Sequence, residues 1–171
     1  MDFKVILAPS RDIAELSSVE RRATALFPEN LLPLDLRDST LDYAKLEAAQ
    51  KAGSLWIAYT DRSNRKDILG FICAAIVEGK GWIQEVDVVP EAAKHGIGSA
   101  LVARALSYFR EEGVDEAFLT TFAKFEPSVR LYRKFGFVQA AMEACPGFIK
   151  DALREEAAAG LHDRIPLSVR L

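Results

Sequence analysis

The stretch Val86-Asp87-Val88-Val89-Pro90-Glu91-Ala92-Ala93-Lys94-His95-Gly96-Ile97-Gly98-Ser99-Ala100-Leu101 constrains the fold of this chain more than any other. An apolar run that stops at a proline reads as a buried strand, the glycines as a turn, and the small and apolar residues from Ile97 onward as a helix. Gly96 and Gly98 lack the Cβ that would block a positive φ or a close ligand. Main-chain N–H groups can therefore converge on one anion at the positive end of the helix, and a pyrophosphate suits such a cradle.

The rest of the composition limits what can surround this turn. With 171 residues, 50% hydrophobic and 27% charged, the chain can bury one core and is too short to expect two, so residues 1–171 are read as one domain. The apolar run from Leu69 to Val77 falls well below the roughly 20 residues of a membrane helix, and Met1-Asp2-Phe3-Lys4 opens no secretory leader. A cytoplasmic protein with no membrane partner is expected. Cys73 and Cys145 lack metal-ligand spacing and read as reduced thiols, so no metal site is expected. A formal charge of −3 argues against general nucleic-acid binding and fits small, cationic partners.

Along the chain, Phe3 to Ala8 predicts a strand. Ser10 then caps a helix whose apolar residues Ile13, Leu16, Val19, Ala23 and Leu26 recur near helical spacing and which Pro28 closes. A second helix is expected from Ser39 or Thr40 to Gly53, with Leu41, Ala44 and Ala48 on its inner face. Leu55 to Thr60, Ile68 to Val77 and Trp82 to Val89 read as an antiparallel meander, turned at Asp61-Arg62-Ser63-Asn64 and Glu78-Gly79-Lys80-Gly81. The helix after the glycine turn runs to Gly113 and returns the chain to a strand, Glu116 to Phe122, parallel to its predecessor. Pro127 opens a further helix that Gly136 ends, and Phe137 begins a strand. A helix from Phe148 to Ala159 precedes the last strand, Ile165 to Leu171, in which Pro166 suits an edge position or a strand start. The order is β-α-α-β-β-β-α-β-α-β-α-β, an α/β mixed sheet with helices on its faces.

A lone Gly-x-Gly is weak evidence, and the context narrows it. A dinucleotide fingerprint would need Gly where Leu101 stands, and a nucleotide-binding P-loop would need Gly-Lys-Ser/Thr. Val88-Val89-Pro90, then Lys94-His95-Gly96-Ile97-Gly98-Ser99, then Ser128-Val129-Arg130-Leu131-Tyr132-Arg133-Lys134-Phe135-Gly136-Phe137 together resemble the GNAT superfamily of acetyl-CoA-dependent N-acetyltransferases. The resemblance is strongest over Trp82 to Phe137. It implies an acyl-CoA N-acyltransferase fold of about six to seven strands with helices on both faces and a splayed central parallel pair. The helix before the last strand is less usual for that family. Two positions depart from its pattern: Ala93 stands where Arg or Gln is usual, and Phe125 and Ser128 stand where many members carry Asn.

The resemblance implies acetyl-CoA as co-substrate, seated where the strands Trp82–Val89 and Glu116–Phe122 splay, with its pantetheine amides pairing along Val86 and Val88. The N–H groups of His95, Gly96, Ile97, Gly98 and Ser99 would hold the pyrophosphate, Lys94 or His95 would replace the contact missing at Ala93, and Ser128 would bond the pantetheine arm. The Val88 N–H would polarise the thioester carbonyl.

Transfer to an alkylamine, whose pKa is about 10.4, requires a base. Glu85 matches a frequent family glutamate, with Asp87 the second candidate. Both face one side of a regular strand, whereas a bulge near Val86 would part them. Tyr132 is the candidate acid for the departing thiolate, a transfer modestly uphill from a phenol of pKa about 10 to a thiol of about 8.5. Neither cysteine has a base beside it, so direct transfer in a ternary complex is expected over an acyl-cysteine.

His162 reads as structural, Trp56 and Trp82 as sheet anchors or cleft lining, and Glu29, Asp35, Asp38 and Asp42 as a solvated acidic face. The acceptor is a primary amine on a small molecule, amino acid, peptide or protein, and both a monomer and a homodimer are open. The alternatives are a transferase for a longer acyl-CoA and a noncatalytic acyl-CoA sensor or interaction module.

Overall fold

Seven strands form one mixed sheet in the computed structural model, which describes residues 1–62 and 65–171. The elements in chain order are β1 (Lys4–Leu7), α1 (Ile13–Ala23), α2 (Tyr43–Lys51), β2 (Leu55–Arg62), β3 (Arg65–Val77), β4 (Lys80–Val88), α3 (Ile97–Glu111), β5 (Glu116–Phe122), α4 (Glu126–Arg133), β6 (Val138–Gln139), α5 (Gly147–Ala158) and β7 (Arg164–Arg170). This is the order expected from the sequence, and the strands lie as β1-β2-β3-β4-β5-β7-β6. Of the two predicted meander turns, the first includes Ser63 and Asn64, which lie outside the described residues. The second is a two-residue loop, with Glu78 at φ 52° and Gly79 at φ 76°, the left-handed pair that matches the twist of a hairpin.

The faces of the sheet follow from strand alternation. Phe109 of α3 lies so close to Gly81 that a Cβ there would come within 2.8 Å of its ring, and Val88 approaches Gly98 of α3. The Asp87 carboxylate instead approaches Glu20 of α1. Neighbouring residues of a strand point to opposite faces, so α1 and α3 cover opposite sides. Phe148 of α5 packs on Trp82 at 5.3 Å, on the α1 side. Trp56, Phe71, Phe109 and Phe118 are fully buried between these layers, each worth roughly 1.5–3 kcal/mol of transfer free energy.

Three local expectations are corrected. Ser10 opens a short 3-10 turn, Ser10–Asp12, and α1 begins only at Ile13. The Leu41 N–H is taken by Glu20, so the second helix starts later than expected, at Tyr43. Asp42 is its cap, accepting from the Ala44 N–H at 3.1 Å. Its inner face is Leu46 and Ala49, while Ala44 and Ala48 are exposed. The phase follows the one bulky apolar side chain rather than the alanines. Finally, β7 is not an edge strand but lies between β5 and β6. The Pro166 carbonyl accepts from the Ala140 N–H at 3.0 Å. The missing Pro166 donor therefore faces the same side, where two-residue β6 has already ended.

The central parallel pair is short. β4 and β5 are in register only at Gly81–Ala117 and Trp82–Phe118, and beyond Trp82 the strands diverge.

Candidate active site

The glycine turn is built as the sequence predicts. Gly96 precedes α3 with φ 84°, and Lys94 is also left-handed at φ 65°, a conformation that costs a non-glycine residue about 1–2 kcal/mol. The Ala100 N–H bonds the Gly96 carbonyl at 3.0 Å. The N–H groups of Ile97, Gly98 and Ser99 therefore belong to the first turn and have no carbonyl of the helix to donate to. No side chain caps this end. A Cβ on Gly98 would stand 3.3 Å from Leu131 Cδ2, so a side chain there would crowd the wall of the cradle. Lys94 and His95 are exposed beside it, and the His95 ring nitrogen Nδ1 lies 2.9 Å from the Ala93 carbonyl. These residues fit a diphosphate: main-chain donors at a helix N-terminus are flanked in the chain by two exposed basic residues.

From the cradle, the open edge of β4 leads inward. The Val89 N–H donates to the Leu69 carbonyl at 2.9 Å, on the β3 side. By alternation Val86 and Val88 direct their main-chain N–H and C=O groups to the other side, where β5 has diverged. These are the groups that an extended amide-bearing arm can pair with. The gap between the strands has a volume of about 50 Å³, and Val86, Thr120, Ser128 and Tyr132 line it together with Glu85 and Arg164. Ser128 and Tyr132 thus line the same gap as the strand carboxylate.

Glu85 also lines a second, larger chamber of about 380 Å³ on the α1 side. A bulge places it there. Cys73 stands opposite Glu85 while Ala74 stands opposite Ile83, so Gln84 is the extra residue. In a regular strand, with Gln84 paired in the ladder, Glu85 would turn to the α3 side. The bulge lies before Glu85, and from Glu85 to Asp87 the pairing is regular, so the two carboxylates share a face, the regular-strand alternative of the sequence reading.

Glu20, Glu85 and Asp87 bring carboxylate oxygens within 4.8 Å of one another. Glu20 is buried and accepts the Leu41 N–H through both oxygens, at 3.0 and 2.8 Å. Asp87 is 7% exposed, and its Oδ2 has no hydrogen-bond partner among the described residues. Burial is the main force raising the Glu85 pKa, to about 8, and Glu20 adds to it. Arg164 and the Val86 N–H oppose the rise, and Glu156 reinforces it. Burial, Glu85 and Glu20 likewise push Asp87 well above the usual carboxylate range. Glu20 is raised by burial against the pull of the Leu41 N–H and Arg21.

Tyr132 is buried and its ring packs on Phe137 at 5.8 Å. Burial first and Glu85 second push its phenol well above the usual value. Proton transfer from it to a thiolate is therefore more steeply uphill than the sequence implied, and the phenol is suited to donate a hydrogen bond.

Where gap and chamber meet, Phe27 lines both and packs on Phe125 at 4.5 Å and Phe122 at 5.5 Å. The far wall is fixed by Arg164, which bonds both Glu156 oxygens at 3.1 Å and Thr120 Oγ1 at 3.1 Å, over the ring of Phe122. The sequence reading missed Glu20, Glu156 and Arg164. Glu20 had a signal: it falls on the same helical stripe as Ile13, Leu16 and Ala23, a carboxylate where an apolar residue belongs. The acidic residues singled out instead, Glu29, Asp35, Asp38 and Asp42, are exposed. Trp56 is a core residue, whereas Trp82 lines the chamber. Both cysteines are buried and unpaired, and burial pushes the Cys73 thiol up to about 12, which keeps it out of nucleophilic chemistry. Among the described residues, no helix is long and apolar enough to cross a membrane.

The model of the family described as "Acetyltransferase (GNAT) family" matches residues 16–137. A mycothiol acetyltransferase of Cellulomonas flavigena is 30% identical over 149 residues, covering 81% of this chain and 41% of that protein. A mycothiol acetyltransferase of Pseudarthrobacter chlorophenolicus is 35% identical over 71 residues, 42% of this chain and 22% of that protein. The chain thus spans less than half the length of these curated relatives. Among solved structures, the PaiA N-acetyltransferase of Thermoplasma acidophilum in complex with coenzyme A superposes with a TM-score of 0.72 at 16% identity, over 100% of both chains.

Proposed function

The chain belongs to the acetyltransferase (GNAT) family, and from that premise we propose that it transfers an acetyl group from acetyl-CoA to a primary amine by direct attack in a ternary complex. The observation that carries the reading is the position of Glu85, on the wall shared by the splayed-strand gap and the chamber. An acyl donor in the gap and an amine in the chamber would meet at its carboxylate.

In this reading the N–H groups of His95 to Ser99 bind the diphosphate, aided by Lys94 and His95. The open edge at Val86 and Val88, with Ser128, aligns the pantetheine arm. The Val88 N–H donates to the thioester oxygen as negative charge builds on it. Glu85, with a pKa of about 8, takes one proton from the acceptor ammonium, and the freed nitrogen lone pair forms the N–C bond. The C–S bond breaks with its electron pair on sulfur, the hydrogen bond from Tyr132 stabilises the thiolate, and the second nitrogen proton ends on the thiol. Glu85 returns its proton to solvent through the chamber.

The test is acceptor-dependent release of coenzyme A across a panel of amines with acetyl-CoA as donor. Turnover with at least one amine, lost in Glu85→Gln, is the expected result. Binding of coenzyme A without turnover for any amine would replace the reading with that of an acyl-CoA sensor.

A further inference from the structure

Three carboxylates converge at the inner wall of the chamber, and among the described residues none of them is ion-paired, although Arg164 acts on Glu85 from across the chamber. Arg164 is bonded to both oxygens of Glu156, and Lys45 is an exposed residue of the chamber wall. Asp87 Oδ2 is buried without a donor among the described residues, a state that costs roughly 1–3 kcal/mol until a donor arrives. Glu20 is held in place by its two bonds from the Leu41 N–H, so the cluster is organised before any ligand enters. The chamber in front of it, about 380 Å³, admits a small organic cation.

We propose that Glu20, Glu85 and Asp87 together seat the acceptor as an ammonium ion, and that the acceptors are alkylamines with no carboxylate adjacent to the amine. The proposal rests on the acetyltransferase reading and names its substrate class. An ammonium has three N–H donors, one for each carboxylate, and only one of these needs to pass to Glu85. The α-amine of a free amino acid carries its own carboxylate two bonds away, which would come to rest against the same cluster. At about 4 Å and an effective dielectric near 20, like charges repel strongly enough to outweigh an ordinary hydrogen bond. Glu20 is in this scheme a specificity-determining residue that does not take the proton.

The experiment compares wild type with Glu20→Gln at pH 9, where Glu85 is largely ionised in both and an alkylamine is still mostly cationic. The Gln side chain keeps an oxygen for the Leu41 N–H. With saturating acetyl-CoA, n-butylamine should exceed norleucine in kcat/KM by at least about tenfold. The substitution should raise the KM for n-butylamine about tenfold, the loss of one charge-assisted hydrogen bond, and leave kcat and the KM for acetyl-CoA within about threefold. An unchanged KM for n-butylamine, or norleucine used as well as n-butylamine, overturns the proposal while leaving the acetyltransferase reading intact. Calorimetry with n-butylammonium and coenzyme A separates the two. If no amine is acetylated but uptake of n-butylammonium is weakened about tenfold in Glu20→Gln, the seat stands and the acetyl-transfer reading fails. Equal uptake by the two proteins sinks the seat.

Discussion

Glu20 of α1 and Glu85 of β4 hold carboxylate oxygens within 4.8 Å of each other, an arrangement that raises the pKa of Glu85 beyond what burial alone would do. The pH dependence of the reaction should report this contact. A base must lose its proton to act, so kcat/KM should climb through a limb near pH 8 and then level off. The charged and titratable groups bearing on Glu85 are Glu20 on α1, Asp87 beside it on β4, Cys73 on β3, Tyr132 on α4, Glu156 on α5 and Arg164 on β7. Replacing Glu20 with Gln removes one negative neighbour, and the limb should move to lower pH. A pH–rate series on the two proteins checks this.

Replacing the proposed base should be more severe. Glu85→Gln is expected to lower kcat by about 10²–10⁴-fold with the affinity for acetyl-CoA preserved, the range for general-base catalysis. Tyr132→Phe keeps the ring packing on Phe137 and removes only the donor, so a fall of about tenfold or more in kcat with an unchanged Tm is expected. Steady-state kinetics beside a titration of coenzyme A distinguishes these from losses of binding.

The cradle predicts a split between two glycines. Gly98→Val places methyl groups beyond a Cβ that already stands 3.3 Å from Leu131 Cδ2, and it should weaken coenzyme A binding by about tenfold or more. Gly96→Ala meets nothing within 4 Å but must keep φ near 84°, so its cost falls on stability, about 1 kcal/mol. Calorimetric titration and thermal unfolding of both variants test the separation.

Asp87 should be a liability to the fold at alkaline pH. Its folded pKa lies well above the unfolded value, so the folded chain keeps a proton that the unfolded chain releases. Stability is then full below the unfolded carboxyl pKa, about 3.9, and declines as pH rises through the window up to the raised folded value. Asp87→Asn removes that decline. Its Tm should exceed wild type at pH 8 by about 2–4 °C, with a smaller difference at pH 5.

Much of this fold is legible in the linear chain. Each predicted strand and helix exists, because periodicity, glycines and prolines act over a few residues and need no distant partner. The misplaced details are those in which a distant partner intervened. Leu41 is held by Glu20 and delays α2. Two-residue β6 lies outside β7 and makes Pro166 an interior strand residue whose missing donor costs nothing.

The site divides along the same line. Val86 to Ser99 supply the open edge and the cradle from one continuous segment, so residue order alone determined them: a strand, a left-handed turn and a helix N-terminus follow directly from backbone sterics. The larger chamber is assembled from α1, α2 and the segment between them, β4, β5, α5 and β7, and its charge depends on which side chains the sheet brings face to face. Only the tertiary structure decided that Gln84 is bulged, that Glu85 therefore turns toward α1, and that Glu20 waits there. Strand register and burial set those distances, and Coulomb and desolvation energies depend on distances rather than on sequence separation.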